Sequence, residues 1–376
     1  MAIKPTDFYN HLTSHGIDFF AGVPDSLLKE FCLCIDDFVP KDKHIITANE
    51  GNAIALAAGY YLAKKSLPLV YMQNSGLGNA INPLLSLCDP DVYAIPMVVV
   101  VGWRGEPGVK DEPQHVKQGK VQLDLLDAMD ISYEIISKDD EQVARKISDV
   151  IETAKNDYRP TVLLIKKGMF EKYGKEIKQS DDQRMKREEA LEIVLESLDD
   201  NAIVVSTTGK TSREIFEIRE KESQSHQQDF LTVGSMGHCS SIALGIALAK
   251  PHRNVVCIDG DGAMLMHLGS LTTIVSLKPN NFRHILMNNG VHESVGGQAT
   301  AAKNIDLSAI VEAVGASKMF KAETPTELKE NIPKFLSCVG PSFFEIKICP
   351  GSREDLGRPT IKPVDNKQDF MKFLKN

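Results

Sequence analysis

The stretch "CIDGDGAMLMHL" (residues 257–268) sets two Asp-Gly pairs between an apolar run and a helix-like pattern. The apolar run, "NVVCID" (254–259), predicts a buried β-strand, and the glycines permit the tight turn that follows it. Such a turn lies at the carboxyl end of a strand, where ligands bind in open α/β sheets. Asp261 would offer oxygen there to a hard cation such as Mg²⁺. Taken alone, the stretch is better explained as an ordinary strand-to-helix turn.

The same alternation of short β-branched runs and longer helical patterns, such as 50–65 and 240–250, extends along the whole chain. Continuous apolar strands without strict alternation are typical of parallel strands that are covered on both faces. We therefore predict an α/β protein in which mostly parallel sheets are flanked by helices. The predicted strands are 18–23, 44–47, 69–73, 97–102, 161–166, 202–206, 254–259, 284–289 and 343–348.

A charged segment that is poor in apolar residues, 166–190, separates two α/β runs of similar length. We interpret it as an interdomain connection. The predicted organisation is a first domain over 1–168, a linker over 169–186 and a second domain over 187–376. The tail after about residue 350 is rich in proline and charge, and we expect it to wrap the surface.

Composition excludes several classes of function. The 376 residues carry a net charge of −8, which argues against a general nucleic-acid or acidic-membrane binder. The first residues lack the apolar core of a signal peptide, and no apolar run is long enough to span a bilayer. Seven scattered cysteines without a CxxC pair are typical of reduced thiols, so we expect a cytoplasmic protein.

A second polar turn follows the strand at 284–289, where the chain reads Asn288-Asn289-Gly290. If the two strands are adjacent and parallel, Asp261 and an asparagine lie at one edge of the sheet. Gly-Asp-Gly followed by a helix, a strand and Asn-Asn resembles the signature of thiamin diphosphate enzymes. The resemblance implies two thiamin-diphosphate-binding-type domains, a pyrimidine-binding one followed by a diphosphate-binding one. It also implies a thiamin diphosphate cofactor and a Mg²⁺ ion held by Asp261, Asn289 and the carbonyl of Val291.

The run "IITANEGNAIALAAGYYLA" (45–63) resembles the helix of the pyrimidine-binding domain in this family. The resemblance implies that Glu50 hydrogen-bonds the aminopyrimidine ring and activates the cofactor. From the residues alone, a glutamate at a helix start is explained by the helix dipole.

Further segments fit the same family. "VGSMGHCSSIALGIALA" (233–249) resembles its wedge segment, which implies that Met236 bends the cofactor and that Gly234 supplies a carbonyl. "STTGKTS" (206–212) could cradle phosphate on backbone N–H groups, although Val204 stands where a P-loop needs glycine. The predicted cofactor-binding residues are Glu50, Thr208, Gly209, Gly234, Ser235, Met236, Gly260, Asp261, Gly262 and Asn289.

Three segments resemble the compact members of the family that act on phosphonopyruvate or sulfopyruvate: 19–31, 111–120 and 287–300. The chain has no room for the third domain of the larger decarboxylases. The resemblance implies decarboxylation of 3-phosphonopyruvate to phosphonoacetaldehyde and CO₂. It also implies a homodimer or homotetramer with active sites at the subunit interface.

A substrate with two anionic groups requires local positive charge on this acidic chain. The Gly/Pro-rich segment after strand 97–102 supplies the predicted substrate-binding residues Arg104, Lys110, Lys117 and Lys120. A solvated charged loop explains these lysines equally well. For catalysis we predict Glu50 together with Asp25, Ser26 and His115, the latter three for proton handling or substrate orientation; His292 and Glu293 are weaker candidates.

Three other functions compete with this one. A sulfopyruvate decarboxylase or an acetolactate-synthase-like carboligase would share every cofactor motif. A non-enzymatic nucleotide-binding or scaffold protein would share the alternation of strands and helices, but it would not explain Glu50, Gly-Asp-Gly and Asn-Asn together. A dinucleotide dehydrogenase is disfavoured because no G-x-G-x-x-G follows an early strand.

Overall fold

The computed structural model describes residues 2–174, 183–316 and 318–375. The chain divides into two compact units. The first unit comprises Met1–Ile177 with Val295–Gln298, and the second comprises Lys178–Ser294 with Ala299–Asn376. Part of the predicted linker, 175–182, lies outside the described residues, so the linker and the domain limits drawn from the sequence stay a prediction.

The first unit is built on a six-stranded parallel sheet in the order β2-β1-β3-β4-β6-β5. Its strands are β1 (Phe20–Gly22), β2 (His44–Ile46), β3 (Leu69–Gln73), β4 (Met97–Gly102), β5 (Tyr133–Ile136) and β6 (Pro160–Ile165). Its helices are α1 (Pro5–Ser14), α2 (Lys29–Phe38), α3 (Glu50–Lys64), α4 (Leu77–Pro83), α5 (Pro113–Lys120), α6 (Gln122–Ala128) and α7 (Val143–Asp157).

The central strand β4 shows why an apolar run without alternation forms this sheet. All of its residues are buried. Val98 and Val100 pack in one apolar cluster, whereas Val99 and Val101 pack in another. Successive side chains of a strand point to opposite faces, so both faces of the sheet carry a core.

The second unit repeats the architecture, with a six-stranded parallel sheet in the order β13-β14-β10-β9-β7-β8. Its strands are β7 (Ile203–Ser206), β8 (Asp229–Leu231), β9 (Val255–Gly260), β10 (Phe282–Asn288), β13 (Met319–Ala322) and β14 (Ser342–Lys347). Two short strands also occur, β11 (Val291–His292) and β12 (Gln298–Ala299). The helices are α8 (Arg187–Glu196), α9 (Lys210–Lys221), α10 (Cys239–Ala249), α11 (Asp261–Met266), α12 (Ser270–Leu277), α13 (Leu307–Ala313), α14 (Pro325–Ser337) and α15 (Pro363–Lys375).

The predicted fold class is confirmed, and all nine predicted strands are present. The two sheets contain three strands that the sequence did not predict, β5, β8 and β13. Each of them is an edge strand. An edge strand is covered less completely than a central one, so its sequence lacks the long apolar run that marks the others.

The tail differs from its prediction. Residues 363–375 form the helix α15, and Phe370 is only 4% exposed. Its ring lies 5.5 Å from the ring of Phe230. The expectation that the whole tail wraps the surface is therefore wrong for α15, because this helix contributes to the apolar core.

Within the described residues, no helix combines the length and the apolar character needed to cross a membrane.

Candidate active site

Two neighbouring strands of the second unit bring the polar turns together. β9 and β10 are adjacent and parallel, and Gly260 is paired with Met287. Asp261 comes one residue after Gly260 and Asn289 two residues after Met287, at the same edge of the sheet. The main-chain N–H of Asn289 donates a hydrogen bond to the Asp261 carboxylate. The proximity expected from the sequence is thus present in the structure.

Asp261 opens helix α11 and is only 3% exposed. The hydroxyl of Thr300 donates to its Oδ2 atom. Burial raises the pKa of Asp261 to about 6, although Thr300 and nearby main-chain N–H groups favour the carboxylate. A divalent cation would favour the charged form of this buried group, so the carboxylate suits a hard metal ion.

The side chain of Asn289 is held at both ends. Its Nδ2 atom donates to Glu293 Oε2 at 3.0 Å, and its Oδ1 atom accepts from the Val291 N–H at 3.1 Å. The carboxylate of Glu293 accepts hydrogen bonds, so it determines which end of the amide carries the oxygen. That oxygen keeps a second lone pair with which it can bind a cation.

Glu293 belongs to a buried network of charges. It lies 2.9 Å from Arg187 Nη1 and 2.7 Å from Lys210 Nζ. Arg187 also makes a bidentate pair with Glu214, at 2.6 and 2.9 Å. Burial raises the pKa of Glu293, but Arg187 and Lys210 outweigh that effect and lower it to about 2. The network therefore ties the turn after β10 to the first residues of α8 and α9.

The turn before α9 offers room for an anion. Gly209 is the N-cap of this 12-residue helix and adopts φ 97°, ψ −138°, a conformation that favours glycine. A Cβ added at Gly209 would meet nothing within 4 Å. At Gly260, an added Cβ would meet only the Thr207 methyl group, at 3.9 Å. Open space beside a helix N-terminus fits a diphosphate group. Thr208 lies half-buried in the same turn.

Met236 and His292 both approach Gly262. A Cβ at Gly262 would lie 3.4 Å from Met236 Cε and 3.2 Å from His292 Cε1. Burial lowers the pKa of His292 to about 4, so this imidazole is neutral at neutral pH. Gly234 is half-buried, and the exposed Ser235 has a φ of 53°. The predicted wedge segment and the Gly-Asp-Gly turn are therefore neighbours in space.

In the first unit, Glu50 opens helix α3 and is 6% exposed. Asn49 caps this helix by accepting from the Gly51 N–H at 2.8 Å. Asn79 Nδ2 donates to Glu50 Oε2 at 2.8 Å. A Cβ at Gly76 would lie only 2.3 Å from Glu50 Oε1. The position of the Glu50 carboxylate is thus fixed by the start of α3, by the hydrogen bond from Asn79 and by close packing against Gly76, where any side chain would clash.

Asp25 lies fully buried at the end of β1. It accepts from Gln73 Nε2 at 2.6 Å and from the Leu27 N–H at 3.0 Å. Burial raises the pKa of Asp25, although these hydrogen bonds and the charge of Arg104 oppose the shift. The neighbouring Ser26 is exposed, and its Oγ atom accepts from Arg104 Nη1 at 2.8 Å.

Arg104 is already paired. Its guanidinium donates to Asp111 through Nε at 2.8 Å and through Nη2 at 2.5 Å. This pairing lowers the pKa of Asp111 to about 2. Lys110, Lys117 and Lys120 are exposed and have no ion-pair partner among the described residues. The substrate-binding role of these four residues stays a prediction.

His115 is buried on α5, and its Nδ1 atom has no hydrogen-bond partner among the described residues. Burial lowers its pKa to about 4, and the positive charge of Arg104 acts in the same direction. A neutral imidazole with an unpaired ring nitrogen can donate a hydrogen bond to a ligand or accept one from it, depending on the tautomer.

Several supporting residues carried no signal in the sequence. Asn79, Gln73, Asp111 and Thr300 meet their partners only through the fold. Arg187 could have been noticed as a cation at the start of a predicted helix, but its acidic partners are 27 and 106 positions away.

Comparison with known proteins identifies the family. The profile "Thiamine pyrophosphate enzyme, N-terminal TPP binding domain" matches residues 6–131. The profile "Thiamine pyrophosphate enzyme, C-terminal TPP binding domain" matches residues 207–346. The first match covers β1–β4 of the first sheet, and the second covers β8 to β13 and most of β14 in the second unit.

Curated relatives match over almost the full chain. A phosphonopyruvate decarboxylase of Streptomyces viridochromogenes is 35% identical over 99% of this chain and 95% of its own length. One from Streptomyces hygroscopicus is 36% identical over 99% and 94%. A sulfopyruvate decarboxylase of Methanosarcina acetivorans is 29% identical over 96% and 94%. The chain therefore belongs to the thiamine pyrophosphate enzymes, in the group that contains the phosphonopyruvate decarboxylases.

Proposed function

We propose that this protein decarboxylates 3-phosphonopyruvate to phosphonoacetaldehyde and CO₂ with thiamine pyrophosphate and Mg²⁺. The observation that carries the substrate is the identity of 35 and 36% to two phosphonopyruvate decarboxylases over 99% of the chain. When bound, thiamine pyrophosphate supplies an electron sink for the pair of electrons released as CO₂ leaves.

The second unit would hold the cofactor's charged end. Asp261, Asn289 and the Val291 carbonyl would hold Mg²⁺, which would supply positive charge for the diphosphate. Their common position at one sheet edge and the raised pKa of Asp261 support this role. Thr208 and Gly209, at the start of α9, would bind the diphosphate, and the open space at Gly209 and Gly260 supports this role. Gly234, Ser235 and Met236 shape the adjoining surface.

The first unit would supply the activating carboxylate. Glu50 would hydrogen-bond the aminopyrimidine ring through its carboxylate. Its burial, its position at the helix start and the hydrogen bond from Asn79 keep this group in one orientation. A dry environment strengthens each of these electrostatic interactions.

Asp25 and His115 are the best placed residues for moving a further proton. The raised pKa of Asp25 allows it to hold a proton more readily than an exposed aspartate. The neutral His115 presents an unpaired Nδ1 atom. Ser26 and Arg104, joined by a hydrogen bond, orient the anionic substrate with Lys110, Lys117 and Lys120.

We propose a homodimer or homotetramer with active sites at the subunit interface, in the cytoplasm. Two leucines on α3, Leu56 and Leu62, are exposed to 39 and 66%, which supports a partner surface next to the helix that begins with Glu50. Light scattering coupled to gel filtration measures the oligomeric state directly, and a monomer would contradict this proposal.

The function is tested by a decarboxylation assay on the full chain with cofactor and Mg²⁺. Phosphonopyruvate, sulfopyruvate and pyruvate are compared at matched concentrations, and released CO₂ and the aldehyde product are measured. The proposal predicts the highest kcat/KM for phosphonopyruvate. The identity of 29% to the sulfopyruvate decarboxylase makes sulfopyruvate the second candidate, and faster turnover of that substrate would replace the proposal. Carboligation of pyruvate would instead indicate an acetolactate-synthase-like enzyme.

A further inference from the structure

Four side chains with metal-binding chemistry converge on one face of the second sheet. Cys257 and Asp259 are two positions apart on β9, so they point to the same face. His284 lies on the adjacent strand β10, where it is paired with Cys257 and points to the same face. Cys239, the first residue of α10, packs onto it. All four are at most 2% exposed. We call these residues the thiol cluster.

The spacing of the thiol cluster resembles a metal coordination sphere. The sulfur atoms of Cys239 and Cys257 lie 3.8 Å apart. Zinc–sulfur bonds of about 2.3 Å in a tetrahedron place two sulfur ligands about 3.8 Å apart. One ligand atom each from Cys239, Cys257 and Asp259 lie within 4.8 Å of one another. His284 Nε2 lies 3.4 Å from Asp259 Oδ2, close to the roughly 3.3 Å edge for nitrogen and oxygen ligands.

The polar atoms of the cluster satisfy one another only in part: the sulfurs share one contact at 3.8 Å, and His284 Nε2 approaches Asp259 Oδ2 at 3.4 Å. Asp259 Oδ1 accepts from the Gly260 N–H at 2.9 Å. Apart from that approach, Asp259 Oδ2 and both ring nitrogens of His284 make no hydrogen bond of regular geometry within the described residues. Buried polar atoms without a partner are costly, and buried charges are normally paired or bound to a metal. A cation between the four side chains would satisfy these atoms together.

We propose that Cys239, Cys257, Asp259 and His284 form a buried structural site for one zinc-class divalent ion, separate from the Mg²⁺ position at Asp261. Two thiolates and an imidazole select zinc over magnesium, because soft and borderline ligands suit zinc whereas Mg²⁺ requires oxygen. Binding releases the thiol protons and any proton on the imidazole, because thiolate and neutral imidazole are the forms that bind the ion. The ion would fasten β9, which ends at the Gly260–Gly262 turn, to α10 and β10.

Metal content of the full chain tests the site. Protein is produced with added zinc, dialysed against a carboxylate chelator, and analysed by mass spectrometry of the metal. We expect about one zinc ion per chain in the wild type and loss of most of it in the double variant Cys239→Ser/Cys257→Ser. Cys88→Ser is the matched control, because Cys88 is equally buried but lies in the first unit. This control should keep the zinc.

Cobalt substitution identifies the ligands without any activity measurement. Co²⁺ bound by thiolate gives a sulfur-to-metal charge-transfer absorption in the near ultraviolet, which carboxylate and amide ligands cannot produce. We expect this band in the wild type and in Asp261→Asn, and its loss in Cys257→Ser. If the band persists in Asp261→Asn, the cobalt ion is not at the proposed Mg²⁺ position. The experiment therefore tests the thiol cluster independently of the proposed function.

The wild-type protein alone can overturn the inference, whatever the variants do to folding. Absence of both zinc and the cobalt charge-transfer band from the folded wild type would refute it. A band that persists in the double cysteine variant would assign the metal elsewhere. A Cys239–Cys257 disulfide found by peptide mapping of freshly purified protein would also refute it, because oxidised sulfurs do not bind zinc.

Discussion

Replacing Asp111 with asparagine should destabilise the first unit by about 2 kcal/mol at neutral pH. Asp111 receives two hydrogen bonds from Arg104, at 2.8 and 2.5 Å, and one from the Gly105 N–H at 2.8 Å. These contacts lower its pKa from 3.8 to about 2. One pKa unit corresponds to about 1.4 kcal/mol, so the shift gives about 2.5 kcal/mol, and solvent screening of the partly exposed pair reduces this to about 2 kcal/mol. Asparagine keeps the shape of the side chain but lacks the charge.

The sign of the pH dependence follows from the lowered pKa. A carboxylate with a lower pKa in the folded state contributes its full stability above the unfolded value of 3.8. That contribution is lost as the pH falls from 3.8 towards about 2. The gap between wild type and Asp111→Asn should therefore be constant across the neutral range and narrow in acid.

Differential scanning calorimetry measures the effect. A loss of about 2 kcal/mol should lower the Tm of a unit of this size by about 4–8 °C. Asp149→Asn is the control, since Asp149 forms an exposed i,i+4 pair with Arg145 in the same unit. Exposed pairs contribute little, and the control should shift the Tm by less than about 2 °C. Equal shifts in the two variants, or a gap that is undiminished in acid, would refute the reasoning.

Three further predictions concern the candidate active site. Glu50→Gln should still bind cofactor in a calorimetric titration but lose at least about 10²-fold in kcat, since general acid–base groups contribute 10²–10⁴-fold; near-normal turnover would exclude the role of Glu50. Gly76→Ala should lower kcat while the melting of the second unit stays unchanged, because the new Cβ would lie 2.3 Å from Glu50 Oε1 and displace the carboxylate; an unaffected kcat would contradict this packing. Asn79→Asp should lower kcat more than Asn79→Ala, because a second carboxylate 2.8 Å from Glu50 repels it as well as removing the donor; equal losses would show that charge is unimportant there.

The sequence was sufficient to predict features that depend on a local pattern or on the pairing of consecutive parallel strands. The central strands are continuous apolar runs such as Met97–Gly102, and they were all predicted. The proximity of Asp261 and Asn289 follows from two consecutive parallel strands that end in polar turns. The edge strand Tyr133–Ile136 escaped prediction because only Ile136 in it is fully covered.

Side-chain contacts that only the folded chain creates could not be predicted from the sequence. Arg104 was predicted to bind substrate because of its charge, but the fold turns Asp111 back onto it. Asn79 contacts Glu50 because α3 and α4 pack together, and no residue pattern in the sequence predicts that contact. The thiol cluster joins a helix start to two strands, so its cysteines, 18 positions apart, appeared as scattered thiols.

The account depends most on the shared role of Asp261 and Asn289 in holding the cofactor through a metal ion. Isothermal titration of thiamine pyrophosphate into the metal-stripped full chain, with and without added Mg²⁺, measures this directly for the wild type and for Asp261→Ala. We predict that Mg²⁺ tightens the binding of thiamine pyrophosphate to the wild type by at least about tenfold, equivalent to about 1.4 kcal/mol. In a folded Asp261→Ala variant, we predict that Mg²⁺ leaves the affinity for thiamine pyrophosphate unchanged. The account would be contradicted if the affinity of the wild type were the same with and without Mg²⁺, or if Mg²⁺ tightened binding equally in both proteins.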